Sequence, residues 1–322
     1  MRYNGVAVAG SWVLAVALSA CASAGNPAQV GGATSALPLP AGLGKARGPG
    51  WMSKAARNPN AHLIYVSDFV AGVVRIYPEK GSNPAPIGEI TDGISGPFGL
   101  SVDGSGNLYV CNVGNFTVTE YPRGSTTYSF QYTGIGYPYS VSALPGGQID
   151  VVDEDPGQIM EFPKGSSRPR LRIPIEHPSG VTLDPEHNVY VAYNTGAHGG
   201  GPGYVNEYAP HSKTGTKLAF TLGWATNDAF DGDGNLLVAD QQGPPVAIDV
   251  FPPGASEPSQ QITQGLVDPV YLAFSKQRNR LFVADPGASA VLVYDYPSGT
   301  LVETLNNSLT SVYGVAVSPE GL

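Results

Sequence analysis

The chain has 322 residues, and its 17 lysines and arginines stand against 26 aspartates and glutamates, a formal net charge of −9. That balance excludes a basic footprint for nucleic acid and makes polyanions and anionic lipid faces poor partners. With two cysteines in the whole sequence, no disulfide is expected.

In chain order, the first element is an apolar run from Val6 to Ala20, preceded by a single charge at Arg2. It is short for a membrane span and right for a signal-peptide core, so residues 1–20 are read as a signal peptide. The run ends in "LSAC", Leu18 to Cys21, which resembles the bacterial lipobox. The resemblance implies lipidation at Cys21, a lipoprotein of the bacterial cell envelope and a membrane anchor. Because Ala22 is not the aspartate of inner-membrane retention in Gram-negative cells, the outer membrane is the expected location, with a Gram-positive surface as the alternative. Residues 21–50 are rich in Gly, Ala and Pro with almost no aromatic or charged side chains, the composition of a flexible tether.

Residues 51–322 repeat one phrase six times. A valine marks the first long strand of each unit, at Val66, Val110, Val151, Val191, Val238 and Val283, recurring every forty to forty-seven residues. A period in the forties built only from strands predicts propeller blades. Before most of these valines a short strand and a polar turn recur, as in "GPFGLSVDGSGN" and "HPSGVTLDPEHN". A more polar run such as "TTYSFQY" ends the unit as its outermost strand. The first unit, from His62 to Ile90, lacks an innermost strand, and the chain ends in "SVYGVAVSPEGL", an innermost strand without followers. The reading is therefore all-β: a six-bladed β-propeller of four-stranded antiparallel blades, closed by the C-terminal strand joining the N-terminal blade. Tyr77, Tyr121, Phe162, Phe251 and Tyr296, each before a proline, are read as packing between neighbouring blades. Cys111 falls within a strand and is expected to behave as a small hydrophobe. Arg170 and Arg172 in "RPRLR" are read as charge guarding an outer strand.

The phrases "PFGLSVDGSGNLYVCN" and "PSGVTLDPEHNVYVAY" resemble the NHL repeat and are similar to the related six-bladed folds of the senescence-marker-protein/gluconolactonase family. The resemblance covers residues 62 to 322. It implies the propeller fold, while activity within such folds ranges over binding modules, lactonases and lyases.

The sequence contains no Gly-x-Ser-x-Gly elbow, no His-Glu-x-x-His, no Cys-x-x-Cys and no phosphate loop. "DGDGN", residues 231 to 235, opens like a calcium loop, but Leu236 stands where that loop needs glycine, so it is read as a hairpin turn. Two residues after each marker valine stand Asp68, Asn112, Asp153, Tyr193, Asp240 and Asp285, a ring of four carboxylates and one amide at one channel end. They either cap their own turns or also draw cations and basic ligands.

Departures from the repeat are sharper pointers. Aligning the innermost strands puts Asp228 where the others carry Leu100, Val141, Val181, Leu272 and Val315, and Asn227 where three others have glycine. A carboxylate at such a position is costly unless hydrogen-bonded or bound to a cation. Through the gluconolactonase resemblance, "TND" implies a divalent metal held at the channel mouth by Asn227 and Asp228, although that family's Glu-Gly-Pro-x-Trp phrase is not present. His198, in the glycine-rich loop "YNTGAHGGGPGYVN", is a candidate general base over the channel. Phe98, Tyr137, Tyr139, Trp224, Tyr271 and Tyr313 begin innermost strands, mostly as core with room for one or two in a pocket.

The leading expectation is a monomeric, lipid-anchored binding or scaffold module without a required cofactor. It would hold a protein, glycan or small-molecule ligand through one channel end, using Asn227, Asp228, His198 and the acidic ring. The alternatives are a metal-dependent hydrolase or lyase of gluconolactonase or streptogramin-lyase type, and a purely structural envelope spacer.

Overall fold

The computed structural model describes residues 50–196 and 201–318. Among them there is no helix, and the strands form six antiparallel sheets. Five sheets have four strands each, and their innermost strands are Pro97–Val102, Pro138–Ala143, Pro178–Leu183, Ala225–Phe230 and Tyr271–Phe274. The sixth is assembled from both ends of the repeat region. Val312–Ser318 pairs antiparallel with Leu63–Asp68, followed outward by Val73–Pro78 and Gly88–Ile90. Each innermost strand lies against that of the next blade, and the last lies against the first, so the ring closes. Closure removes the inner edges that would otherwise template aggregation.

The register follows the sequence repeat residue by residue. Each marker valine is fully buried and sits opposite the aligned innermost residue: Val66 faces Val315, Val110 faces Leu100 and Val151 faces Val141. Val191 likewise faces Val181 and Val283 faces Leu272, whereas Val238 faces Asp228. The apolar core lies between blades. One cluster joins Tyr65 and Ile76 of the closing blade to Leu100 and Val110 of the next, and another joins Ile248 to Leu281 and Leu292.

The aromatic-before-proline positions do form the seams. Tyr77 donates its hydroxyl to the Asn307 carbonyl at 2.7 Å, Tyr121 to that of Asp92 at 2.5 Å, and Tyr296 to the Asp231 carboxylate at 2.6 Å. Phe162 meets Tyr132 edge-on at 5.6 Å, and Phe251 stacks on Phe220 at 3.8 Å. Each contact reaches back toward the preceding blade. Cys111 is buried as a free thiol, its ionisation pushed up by burial. Leu171–Pro174 is an outermost strand, and beside it Arg170 pairs with Glu161 while Arg172 donates to the Gly134 carbonyl at 3.3 Å. Trp51–Met52 adds a fifth strand to the outer edge of the closing blade by pairing with Gly88–Ile90. Trp51 is half exposed there, far from the axis.

Candidate functional site

The acidic ring is built by the second strand of each blade, whose last residue points at the connection that leads from the preceding blade into the blade's own innermost strand. Asp285 accepts from the backbone N–H groups of Asp268 at 3.0 Å, Ala288 at 2.9 Å and Val267 at 2.8 Å. Asp240 accepts from Trp224 and Gly223, both at 2.9 Å, and Asp153 from Tyr137 at 2.6 Å and Gly136 at 2.9 Å. Asp68 accepts from Thr310 N–H at 3.0 Å, Ser311 N–H at 3.2 Å and the Thr310 hydroxyl at 2.5 Å. Asn112 accepts from Ser95 N–H at 3.1 Å and donates to the Val110 carbonyl at 3.1 Å. All five side chains are buried, with their polar atoms engaged by the fold itself. In the fourth blade Tyr193 holds the ring position, paired with Pro178, and the next residue, Asn194, ties down the following blade's innermost strand, accepting from Ala225 N–H at 3.0 Å and donating to the Ala225 carbonyl at 2.9 Å.

Just inside this ring the channel is filled with aromatics. Phe98 lies 4.3 Å from Tyr139 and 4.6 Å from Tyr313, with Phe69 edge-on to Tyr313 at 5.3 Å. Tyr271 reaches across the axis, its hydroxyl 3.2 Å from Ser140 Oγ and donating to the Val141 carbonyl at 3.2 Å. At this level the inner strands nearly touch. A Cβ on Gly314 would lie 2.1 Å from the Phe98 carbonyl oxygen, and one on Gly180 would lie 2.7 Å from Asn227 Cα. Where a blade carries a polar residue instead of glycine, that residue bridges to its neighbour. Ser140 Oγ accepts from Val181 N–H at 3.3 Å, and Asn227 Oδ1 accepts from Leu272 N–H at 3.0 Å.

Beyond that level the channel opens into a cavity of about 100 Å³, lined by Leu100, Val141, Val181, Leu272 and Asp228. Its mouth is formed by the turns between innermost and second strands, where Leu144, Asp184, His187 and Arg278 stand. The cavity therefore opens at the end opposite the acidic ring. The sequence reading placed Asn227, Asp228 and the ring at one end, and the aromatic plug separates Asp228 from it. Asp228 is 3% exposed, and neither of its carboxylate oxygens has a hydrogen-bond partner in any other residue. Burial pushes its carboxyl well above the usual carboxylate range, countered only by its own backbone N–H. The contrast with the turns at the mouth is direct: Asp184 accepts from Asn188 N–H and Nδ2, both at 2.8 Å. Asp231 of "DGDGN" does the same with Asn235, at 2.8 Å and 2.7 Å, which makes it a hairpin turn. Arg278 donates to the Phe230 carbonyl and lies over the Phe274 ring at 5.5 Å.

His198 and Cys21 lie outside the described residues. Asn194, Tyr271 as an axial crossbar and Arg278 at the mouth were not singled out by sequence. Arg278 had a signal, since "SKQRN" puts an arginine at the turn position where the aligned turns carry Gly106, Gly147, His187 and Gly234. The donor set of a divalent metal is not assembled at Asp228. Among the described residues no three His, Cys, Asp or Glu side chains converge, and Asn227 has its oxygen on Leu272 N–H. The residues present do not fit the metal site that the gluconolactonase resemblance implies.

No family model matches the chain, and no curated protein matches it. Solved structures do. A protein of unknown function from Bacteroides caccae superposes with a TM-score of 0.61 at 13% identity, over 81% of this chain and all of that one. A chain of a nidogen/laminin complex gives 0.64 at 16% identity with the same coverage. Hydrazine synthase of Kuenenia stuttgartiensis gives 0.60 at 14%, over 84% of this chain and 89% of that one. At such identities the similarity establishes the propeller fold.

Proposed function

We propose that the protein is an exported binding module, anchored in the outer membrane by lipid at Cys21 and carried off the surface by residues 21–50. Its ligand site is the cavity that ends on Asp228. The observation that carries this reading is a buried carboxylate with both oxygens unpartnered, at the end of an open cavity, in a layer that five other blades fill with leucine or valine. A fold that tolerates such a group gives up stability unless something binds there. Asn227 and the ring residues Asp68, Asn112, Asp153, Asp240 and Asp285 serve this site indirectly, by fixing the blades around it. A scaffold role through the outer faces is compatible with it, and one chain of similar fold comes from a nidogen/laminin complex.

Two measurements test the reading. Cys21→Ser should move the protein from the membrane fraction to the soluble fraction of the envelope, and unchanged membrane partition would refute the anchor. Ligand-observed NMR of the full chain against a mixed small-molecule library should give binders that are lost in Asp228→Val. A library without any Asp228-dependent binder would overturn the pocket.

A further inference from the structure

The two ends of the propeller differ in charge. Connections from second to third strands, and those from one blade to the next, share the ring end, and the other connections share the cavity end. Among the described residues every lysine and arginine lies on a strand or at the cavity end. Arg75, a strand cation that reaches the ring, is held by Asp68 at 3.6 Å and by Glu89 at 2.7 Å. The ring-end connections carry Asp92, Asp155 and Glu176 instead, and no ion pair engages them among the described residues. Asp155 and Glu176 are exposed.

The same end displays apolar side chains that its turns do not require. The turns that follow Asp68, Asn112, Asp153 and Asp285 align, and the last residue of each has a positive φ: Gly72 at 66°, Phe116 at 61°, Gly157 at 89° and Ser289 at 51°. That backbone suits glycine and strains a bulky side chain. Phe116 nevertheless stands there, 41% exposed. Val70, in the turn of the closing blade, is 55% exposed, and Val267, packed beside Gly287 of the preceding blade, is 54% exposed. These three stand on consecutive blades of the ring. Half-buried Phe69 links Val70 to the aromatic plug, edge-on to Tyr313 at 5.3 Å, and packs with Val113 against Gly96 of the next blade. An exposed aromatic that strains its own turn is not explained by folding. Apolar anchors beside carboxylates, at an end without lysine or arginine, complement a partner that brings both positive charge and bulky apolar groups.

We infer that the ring end docks a basic polypeptide segment, its apolar side chains against Val70, Phe116 and Val267 and its lysines or arginines toward Asp92, Asp155 and Glu176. The apolar anchors hold the segment, while the solvated carboxylates steer it and select its sign. This surface is separate from the cavity at Asp228, which opens at the other end.

Fluorescence anisotropy of the purified full chain with labelled synthetic peptides tests it. A peptide alternating lysine and leucine should bind, one alternating lysine and serine should bind about tenfold more weakly, and one alternating glutamate and leucine should not bind. Phe116→Gly, the residue that Gly72 and Gly157 provide in their turns, should weaken the lysine–leucine peptide about tenfold without lowering the urea midpoint of the protein. Asp155→Lys combined with Glu176→Lys should weaken it severalfold at low salt, with the difference shrinking as salt is added. Glu257→Lys, which reverses an exposed charge at the cavity end, should leave binding unchanged. Asp228→Val should also bind the peptide normally, so this surface and the pocket stand or fall separately. Equal binding of the lysine–serine peptide, an unaffected Phe116→Gly protein, or a lysine–leucine peptide that does not bind would each overturn the inference. Sedimentation of the chain alone should show a monomer; association that Phe116→Gly abolishes would assign the face to a second copy and overturn it as well.

Discussion

The two ends of the channel use the same side chain in opposite ways. At one end Asp285 is completely buried and accepts three backbone N–H groups. At the cavity floor Asp228 is almost as buried and accepts none from its surroundings. Burial is therefore common to both, and partnership is what differs. A buried carboxylate surrounded by backbone donors stabilises the connection it ties down. One without donors destabilises the fold until a ligand or a proton neutralises it. The first kind is explained by folding alone, and the second is the mark of a site.

Removing a ring carboxylate should have the largest effect. Asp285→Ala leaves three backbone donors in a buried connection without acceptors, and each orphaned group costs about 1–3 kcal/mol. We expect a loss of roughly 3–5 kcal/mol, read as a lower urea midpoint with unchanged slope. A loss below about 1 kcal/mol would mean that the ring does not hold the blades and would erase the contrast from its structural side.

The same substitution logic reverses sign at the cavity. Asp228→Val installs the residue that Val141, Val181 and Val315 provide at the aligned positions. It removes an unpartnered carboxyl from an apolar layer, so the full chain without ligand should gain about 1–3 kcal/mol in urea unfolding. A destabilised Asp228→Val protein would show that the carboxyl is held by the fold after all.

The repeat made much of this legible. The spacing of Val66 through Val283 carried the blade number, the closing strand and the pairing partners, because strand register is fixed by which face is buried. It also exposed Asp228, since a substitution in a sixfold pattern is visible without coordinates. The end at which Asp228 is accessible was not legible. That depends on Phe98, Tyr139 and Tyr313 converging on the axis from three blades, and on Tyr271 crossing to Ser140. Such contacts are set by side-chain direction at close quarters and leave no periodic trace. Asn194 was missed for a simpler reason: the offset from Val191 lands on Tyr193, which pairs with Pro178 as Asp153 pairs with Pro138, and the polar side chain that follows it reaches across to Ala225 of the next blade.

A third carboxyl sharpens the contrast, because it is unpartnered without being in a cavity. Asp150 is buried, its Oδ2 has no hydrogen-bond partner, and it borders a void of only about 10 Å³. Burial first, then the charge of Glu161, pushes its carboxyl from 3.8 up to about 8. Between those values the folded state holds a proton that the unfolded state has released. Stability should therefore fall as pH rises from about 4 to about 8, by at most about 1.4 kcal/mol per pH unit. Asp150→Asn should flatten that part of the profile, as measured by urea midpoints across the range. A slope that persists in the variant would assign the titration elsewhere.

The ring's one amide provides the finest test of whether partnership, and not charge, decides each position. Asn112 is placed like the ring aspartates and, like them, accepts a backbone N–H, that of Ser95. It differs in also donating, to the Val110 carbonyl and to Thr119 Oγ1 at 2.9 Å. Asp285 and Asp240 face N–H groups from two sides, whereas Asn112 faces a donor on one side and a carbonyl on the other. Asn112→Asp would set a carboxylate oxygen about 3 Å from the Val110 carbonyl, replacing a hydrogen bond by a repulsion in a buried place. We expect about 1–2 kcal/mol of destabilisation at neutral pH, diminishing as acidification protonates the new carboxyl. If Asn112→Asp were neutral, ring residues would be exchangeable by charge alone, and the absence of donors around Asp228 would lose its meaning as a marker of function.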